Sequence, residues 1–361
     1  MTSKIFILIP SFERTGPIKG AIALANILSN HFEITLVTLK NKKGIEGDID
    51  KKINVQNLHS KNWNIFFWIK KYRELLKSSG KKNQIISISF CFSADLVNAF
   101  TSKYSKNVSS IRANLIKDYR YNYSFLGYIY SFIHMLILYK FEIVITMSNM
   151  MANQIKENTK INTTIIGNFI DEKKINDLVS INQFNKKLKK INFIFVGSLT
   201  KRKRPLLLAK AIKQMINDGT EVNLTYIGDG PLKNTLNDFI DKNNLQNNIS
   251  LVGSQENPYL YLLNCDYFVL PSESEGISRA SLEALFLGVP CILRNIDGNK
   301  ELITNGRNGY LFENDFDLVD KMYLILNFKN EDKKTSLIPE KFSMKYVEKK
   351  YLSLINILLN D

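Results

Sequence analysis

Three observations predict an α/β protein made of two doubly wound parallel-sheet domains. Apolar runs of strand length alternate with amphipathic runs of helix length, as in repeated βαβ units. This alternation stops in the polar segment 171–190 and starts again at Ile191. The chain has 361 residues, which is more than one hydrophobic core usually organises. We therefore assign a first domain to residues 1–170, a linker to 171–190 and a second domain to 191–344.

The first domain opens with a complete βαβ unit. The apolar run 4–9 predicts a strand, the following turn contains Gly16, and 20–30 predicts a helix before the strand 33–39. Strands linked in this way lie parallel, and ligands of such sheets bind at the carboxyl ends of the strands. Further strands are predicted at 85–90, 108–112, 143–147 and 164–168, with helices that include 64–76 and 149–157.

The second domain repeats this order from Ile191. A strand, a basic turn, a helix and a second strand lead to the turn IGDG, which ends at residue 230. More strands and helices follow, up to a segment, 271–292, that combines a turn, a helix and the start of a strand. The final segment, 345–361, predicts an amphipathic helix with no strand after it. It is therefore free to pack back on the first domain.

The composition is that of an ordinary globular protein, with 45% hydrophobic and 23% charged residues. Its three widely spaced cysteines favour free thiols in a reducing compartment over a disulfide framework. None of the three histidines lies at metal-ligand spacing, which argues against a zinc site. The N-terminal apolar run is too short for a signal peptide, and polar residues interrupt the apolar stretch 123–144 before it reaches the length of a membrane span. We expect a cytoplasmic location.

Positive charge is concentrated in the first half of a chain whose formal net charge is +15. Residues 1–170 carry 23 Lys and Arg against 10 Asp and Glu, whereas residues 171–361 carry 26 against 24. A one-sided positive field favours a polyanionic partner, such as an anionic membrane surface or a phosphate-bearing acceptor. A Lys-rich proteome explains the charge equally well. Nucleic acid is not expected, because no basic motif with stacking aromatic residues accompanies the charge.

The candidate chemistry is concentrated in the segment 271–292. Glu275 lies in its turn and Glu283 in its helix, with small residues between them. A carboxylate can accept both hydrogens of a sugar diol. A helix start offers free backbone N–H groups to a phosphate, and the residues that would supply them are Gly276, Ile277 and Ser278. The combination favours a nucleotide-sugar site. The alternatives are a solvated turn glutamate, an exposed helix glutamate and a simple N-cap at Ser278.

Taken together, these segments resemble the retaining glycosyltransferases of family 4, whose GT-B fold has two Rossmann-like domains facing across a cleft. The resembling segments of the second half are VGSLTKRKRPLLLAKAI, IGDGPLKNTL, ESEGISRASLEALFLGVPCI and GNKELITNGRNGYLF. Those of the first half are IPSFERTGPIKGAIALANIL, MSNMMANQI and IIGNFIDE. They cover nearly the whole chain. Glu-x7-Glu alone is a weak signal, but it is specific in this order and with an upstream lysine.

The resemblance implies roles for several residues of the second half. Glu283 corresponds to the glutamate that binds the nucleotide ribose, and Glu275 to the one that contacts and orients the donor sugar. Lys203 corresponds to the lysine that neutralises the departing nucleotide diphosphate, where transition-state charge develops. Lys203 and Glu275 are thus the catalytic candidates. A solvated basic turn is the alternative for the run 201–204.

The sequence departs from the family pattern at two places. Ser198 stands where the family usually has an arginine that binds phosphate, and either Arg202 or Arg204 is a candidate to replace it. No histidine occurs at 89–91, where many relatives carry one near the sugar. Gly16 resembles the glycine that lets the diphosphate approach, although plain turn chemistry also explains it.

Acceptor recognition is expected in the first domain. The segment 112–119 follows a predicted strand, and its candidate residues are Arg112, Asn114, Asp118 and Tyr119. An ordinary surface loop is the equal alternative. Two aromatic and basic segments, 63–77 and 119–140, are candidates for a membrane-facing surface. We interpret the second as buried helices, and favour the first for a membrane face made by Phe66, Phe67, Ile69 and Tyr72.

The resemblance implies transfer of a sugar, with retention, from a UDP-linked donor to a lipid-linked saccharide. The implied setting is O-antigen or capsule assembly at the inner face of a bacterial membrane, by a peripheral enzyme. The donor is a substrate, and no cofactor or metal is expected. The triplets 48–50 and 315–317 have the Asp-x-Asp pattern but lie in polar loops, so we interpret them as structural.

Two other classes stay open. One is another GT-B enzyme, such as a phosphorylase or a sugar-nucleotide epimerase, which would use inorganic phosphate or no acceptor at all. The other is a non-catalytic GT-B scaffold in a polysaccharide complex. A scaffold would have lost its donor ligands, and the presence of Lys203, Glu275 and Glu283 argues against it.

Overall fold

A computed structural model describes residues 3–59, 64–180, 190–296, 298–328 and 335–360. The chain divides into two compact units, one formed by Met1–Phe169 with Ser343–Asp361 and the other by Ile170–Phe342. Part of the predicted linker forms the helix Glu172–Ser180, while 181–189 lie outside the described residues, as does position 63 of the segment 63–77.

The first unit is a seven-stranded parallel sheet with helices around it. Its strands are β1 (Lys4–Ile9), β2 (Glu33–Thr38), β3 (Asn54–Asn57), β4 (Ile85–Phe90), β5 (Lys106–Ser110), β6 (Ile143–Thr146) and β7 (Thr164–Ile165). Their order is β3-β2-β1-β4-β5-β6-β7. The helices are α1 (Gly16–Leu28), α2 (Ile65–Ser79), α3 (Phe92–Ala99), α4 (Leu115–Tyr123), α5 (Leu126–Leu138) and α6 (Asn149–Thr159).

Strand β1 is buried on both faces, as expected for the centre of a parallel sheet. Successive side chains of a strand point to opposite faces. Ile5, Ile7 and Ile9 therefore pack on the side of α1, while Phe6 and Leu8 pack on the side of α2. The edge strand β3 was not predicted, because its sequence NVQN is largely polar and exposed.

The second unit is a six-stranded parallel sheet. Its strands are β8 (Ile191–Val196), β9 (Val222–Ile227), β10 (Ile249–Leu251), β11 (Tyr267–Leu270), β12 (Cys291–Arg294) and β13 (Gly309–Phe312). Their order is β10-β9-β8-β11-β12-β13. The helices are α7 (Glu172–Ser180), α8 (Pro205–Asn217), α9 (Lys233–Lys242), α10 (Tyr259–Leu263), α11 (Arg279–Phe286), α12 (Asn299–Leu302) and α13 (Asp317–Ile325). The predicted class, two doubly wound parallel sheets, is confirmed.

The last helix, α14 (Met344–Asn360), belongs to the first unit. One stripe of this helix enters the same core as α1, through Val347, Tyr351, Leu354, Ile355 and Leu358. The chain thus completes the core of its first unit after the second unit has ended.

The structure corrects the interpretation of the two aromatic segments. Tyr72, assigned to a membrane face on α2, is fully buried, and its hydroxyl shares a hydrogen bond of 2.6 Å with the hydroxyl of Ser87. The segment 119–140, interpreted as buried, forms α4 and α5 and carries many exposed aromatic side chains. The hydrophobic pattern was misleading because α2 and α5 each contain apolar residues on more than one face. The sequence alone therefore does not show which face of the helix meets the sheet. In the described part of the chain, no helix is long and apolar enough to cross a membrane.

Candidate functional site

The candidate site of the second unit is built on loops that follow β8 and β9. These loops touch backbone to backbone: a Cβ atom at Gly228 would lie 1.9 Å from the carbonyl oxygen of Gly197. A Cβ at Gly230 would lie 2.7 Å from the carbonyl oxygen of Leu199. Gly228 also has a φ of +139°, which side chains disfavour. The glycines therefore fix the path of the loop that leads to the basic turn.

That basic turn is a short 3₁₀ helix, Lys201–Lys203, and it places one lysine against Glu275. Lys203 Nζ donates to Glu275 Oε1 at 2.5 Å. Arg202 Nη1 lies 3.3 Å from the same oxygen and donates to the carbonyl oxygen of Ser274 at 2.5 Å. Two segments more than 70 residues apart thus form one cluster of two cations and one carboxylate.

Glu275 and Lys203 are an ion pair in a largely buried setting, with side chains only 9% and 12% exposed. Burial by itself would raise the pKa of Glu275, but the positive charges of Lys203 and Arg202 outweigh it and hold the pKa below its ordinary value. Burial lowers the pKa of Lys203, and Glu275 opposes that effect. The carboxylate of Glu275 is therefore ionised at neutral pH.

The start of α11 lies directly after this cluster. Ser278 caps the helix, its Oγ accepting from the backbone N–H of Ser281 at 3.3 Å. The turn before the cap packs directly against the backbone of Gly298. A Cβ atom at Gly298 would lie 1.7 Å from the carbonyl oxygen of Gly276. The side chain of Ile277, between Gly276 and the cap, is buried. The start of α11 thus combines the N-cap Ser278 with a closely packed turn at Gly276.

Glu283 lies one turn further along α11 and is buried, with 7% of its surface exposed. Its neighbours Leu282 and Leu285 are completely buried in the unit. The alternative of an exposed helix glutamate therefore does not describe this residue.

Arg204 and Arg202, which the sequence left as equal candidates, lie in different surroundings. Arg204 has a φ of +50° and its guanidinium pairs with Glu273 at 3.0 Å and with Asp315 at 2.5 Å. Arg294 also binds Asp315, at 2.6 Å. Arg204 is thus engaged in a structural network, and Arg202 is the arginine that joins Lys203 and Glu275. Ser198 is exposed on the loop after β8.

Asp315 belongs to one of the two Asp-x-Asp triplets. Burial raises the pKa of its carboxyl, but Arg294 and Arg204 outweigh burial and hold it below the ordinary value. Asp317 accepts from the backbone N–H of Glu313 at 2.9 Å and pairs with Lys321 at 3.2 Å. Among the residues that the structure describes, no group of three or more His, Cys, Asp and Glu side chains is placed to hold a metal ion.

The candidate residues of the first unit have mixed surroundings. Gly16 begins α1, and a Cβ there would meet no atom within 4 Å. Arg112 Nη2 donates to Asn168 Oδ1 at 2.5 Å, and its guanidinium lies 5.6 Å from the centre of the Phe90 ring. Asn114 is buried and caps α4 by accepting from the backbone N–H of Lys117 at 3.1 Å.

Asp118 and Tyr119 lie on α4, partly exposed. The amide of Asn122 lies 3.5 Å from the Asp118 carboxylate. The Tyr119 hydroxyl shares a hydrogen bond of 2.9 Å with His134 Nδ1 on α5. Of these four candidates, Arg112 and Asn114 thus have structural contacts of their own, while Tyr119 leads into a polar chain.

Sequence reasoning missed that polar chain. His134 Nε2 lies 2.8 Å from Asp95 Oδ2, and Ser89 donates to the other oxygen of Asp95 at 2.6 Å. Both His134 and Asp95 are buried. The residues come from α4, α5, α3 and β4 and have no common spacing, so the only available signal was a lone histidine in an aromatic helix. Nearby, burial raises the pKa of Cys91 to about 12, so it remains a thiol.

Comparison with known proteins identifies the architecture. The solved structure of Anabaena Alr3699/HepE in complex with UDP aligns with a TM-score of 0.77, covering 98% of this chain and 100% of that one at 15% identity. This chain has the GT-B fold. Residues 176–338, most of the second GT-B unit, match the family described as glycosyl transferases group 1.

Two bacterial relatives are informative. The Escherichia coli UDP-Gal:alpha-D-GlcNAc-diphosphoundecaprenol alpha-1,3-galactosyltransferase is 36% identical over 163 residues, which are 43% of this chain and 42% of that enzyme. The N-acetylgalactosamine-N,N'-diacetylbacillosaminyl-diphospho-undecaprenol 4-alpha-N-acetylgalactosaminyltransferase of Campylobacter jejuni is 24% identical over 328 residues, 86% of each chain. The first curated relatives are matched over 25% to 55% of their own length.

Proposed function

We propose that this GT-B protein is a retaining glycosyltransferase of family 4. It takes a sugar from a UDP-linked donor and transfers it to a lipid-linked saccharide in bacterial surface-polysaccharide assembly, of the O-antigen or capsule type. The observation that carries this proposal is the cluster of Lys203, Arg202 and Glu275 beside the capped start of α11. The names of the two bacterial relatives, both of which contain a polyprenyl diphosphate, support the acceptor class.

In this proposal the second unit binds the donor. Glu283 accepts hydrogen bonds from the ribose diol, and backbone N–H groups of Gly276, Ile277 and Ser278 bind the diphosphate at the helix start. Glu275 contacts and orients the sugar. Lys203 and Arg202 place positive charge where the diphosphate departs, and Ser198 on the neighbouring loop contacts the same group. Gly16, beside open space on the first unit, leaves room for a phosphate.

The reaction needs no side-chain base. The bond between the anomeric carbon and the donor phosphate oxygen breaks, the acceptor oxygen bonds to the same carbon on the same face, and the acceptor proton passes to the departing phosphate. The role of the protein is to stabilise the negative charge that grows on that phosphate. Arg112, Asn114, Asp118 and Tyr119 are the proposed acceptor side, and the enzyme works in the cytoplasm at the inner face of the membrane.

Nucleotide binding tests the proposal. UDP and UDP-sugars in EDTA should raise the unfolding temperature, since a ligand at 100 times its Kd adds about 2.7 kcal/mol to the free energy of unfolding. GDP should stabilise less. Lys203→Met should abolish most of the shift, and Lys201→Met, an exposed lysine in the same 3₁₀ turn, should retain it. No stabilisation of the wild type by any nucleotide or nucleotide sugar would overturn the proposal.

A further inference from the structure

The hairpin of α4 and α5 carries an unusual surface. Within 121–139, eleven large apolar or aromatic side chains are exposed: Tyr121, Tyr123, Phe125, Leu126, Tyr128, Ile129, Tyr130, Phe132, Ile133, Leu136 and Tyr139. We call these side chains the hairpin surface. Contiguous apolar surface on this scale is uncommon on a monomer and marks an interaction site.

Helix α5 is oriented against the usual rule for surface helices. A surface helix normally turns its apolar stripe to the core and its polar side to water. Here the buried stripe is Gly127, Ser131, His134, Met135 and Leu138, while the exposed side is almost wholly apolar and aromatic. The inversion is held in place by the buried contact of His134 with Asp95 on α3 at 2.8 Å. The apolar side is therefore fixed outward.

The two helices pack closely on each other. A Cβ at Gly127 would lie 2.3 Å from the carbonyl oxygen of Tyr119, so the glycine lets α5 cross α4 closely. The rings of Tyr123 and Tyr130 are 4.9 Å apart, and the Arg120 guanidinium lies 5.0 Å from the centre of the Tyr128 ring. The hairpin surface is thus a preformed platform.

Basic residues adjoin this platform at the end of α5. A surface hollow there is lined by Lys82, Lys103 and Lys140 together with Tyr139 of the hairpin surface. Glu142 also lines the hollow and pairs with Lys82 at 3.0 Å, which leaves the balance positive. Amphipathic aromatic rings beside lysines are the composition of a surface that sits at the depth of lipid headgroups.

We propose that the hairpin surface docks the protein on an anionic lipid bilayer, with α5 lying in the plane of the interface. The helix has 13 residues and is about 20 Å long, shorter than the ~30 Å hydrocarbon core, so it lies in the interface. A second copy of the chain fits less well. A two-fold interface would place two basic first halves against each other, each with 23 cationic and 10 anionic residues. The inference rests on the proposed function, since a lipid-linked acceptor is met at a membrane.

Vesicle flotation of the full chain tests this docking. The wild type should bind vesicles of phosphatidylcholine with phosphatidylglycerol, and bind pure phosphatidylcholine less. The double variant Phe125→Gln with Phe132→Gln, at positions 76% and 61% exposed, should bind at least about tenfold more weakly. Phe316→Gln in the second unit and Phe66→Gln on α2, both highly exposed, should bind as the wild type does. Lys103→Gln with Lys140→Gln should weaken binding to the anionic vesicles alone.

The same proteins separate this inference from the proposed function. The double variant should keep the wild-type unfolding temperature and its stabilisation by UDP, because the replaced rings are exposed. UDP stabilisation without vesicle binding would overturn the docking and leave the proposed function standing. Vesicle binding without stabilisation by any nucleotide would overturn the proposed function and leave the docking standing. A wild-type dimer in sedimentation that the double variant converts to a monomer, with vesicle binding unchanged, would assign the surface to a second copy and overturn the docking.

Discussion

At the scale of single residues, Glu275 has two opposing effects on the cations beside it. Its carboxylate neutralises one of two nearby cations, yet the proposed donor brings a diphosphate that needs both. Lys203 and Arg202 each lie within 3.3 Å of the same oxygen. In the protein without donor, Glu275 therefore offsets part of the free-energy cost of burying Lys203 and Arg202.

Replacing Glu275 by Gln separates these two effects. The variant keeps the shape, removes the charge and takes the carboxylate partner from both cations, which we expect to cost roughly 3–5 kcal/mol of stability. Turnover of a UDP-sugar should fall by about 100-fold, because the sugar loses its orienting carboxylate. UDP affinity should be retained or increased, since the cluster gains one positive charge. Isothermal calorimetry and a single-turnover assay measure both; wild-type turnover in the variant would contradict the role of Glu275.

The control and the pH dependence sharpen this test. Glu273→Gln removes a neighbouring carboxylate that pairs with Arg204 instead, and should change turnover little. Because the pKa of Glu275 in the folded protein lies below its ordinary value of 4.5, its contribution to stability is complete above that pH and is lost as the pH falls through the lowered pKa. Glu275→Gln should remove this part of the acid destabilisation seen in urea titrations.

At the scale of elements, the strand-end loops depend on glycines that have no space for a side chain. Gly228→Ala would place a methyl group 1.9 Å from the carbonyl oxygen of Gly197 and push the loop that leads to Lys203. Gly219 is a matched control, because it also has a positive φ, +85°, but open space around it. Gly219→Ala should cost about 1–2 kcal/mol, and Gly228→Ala clearly more, with loss of UDP binding. Thermal unfolding with and without UDP measures both, and equal costs would show that the contact is not limiting.

Sequence reasoning worked well where an element is local and less well where contacts are distant. The turn and helix around Glu275 and Glu283 were predictable, because their spacing lies within one segment. The environment of Arg204 was not, since its partner Asp315 is 111 residues away. The edge strand β3 lacks an apolar pattern, so hydrophobic periodicity gave no signal for it. The apolar residues of α5 indicated buried helices, but many of them face outward.

At the scale of the whole molecule, the chain returns to its first unit at the end. Helix α14 fills the core beside α1, and His31 after α1 lies 2.9 Å from Glu348 of α14. The sequence predicted an amphipathic helix here, but periodicity does not say which sheet it covers. The first unit therefore reaches full stability only with residues that lie more than 170 positions beyond the rest of its chain.

The two units should consequently respond differently to changes in α14. Ile355 is fully buried in the core of the first unit, and Ile355→Ala should cost about 2–5 kcal/mol in the free energy of unfolding of that unit. Ile357→Ala on the same helix, at a position 57% exposed, should cost less than about 0.5 kcal/mol. Urea unfolding followed by tryptophan fluorescence reports on the first unit through Trp68, which is buried in its core. UDP binding at the second unit should survive in both variants below the transition, whereas an unchanged urea midpoint in Ile355→Ala would show that α14 does not stabilise the first unit.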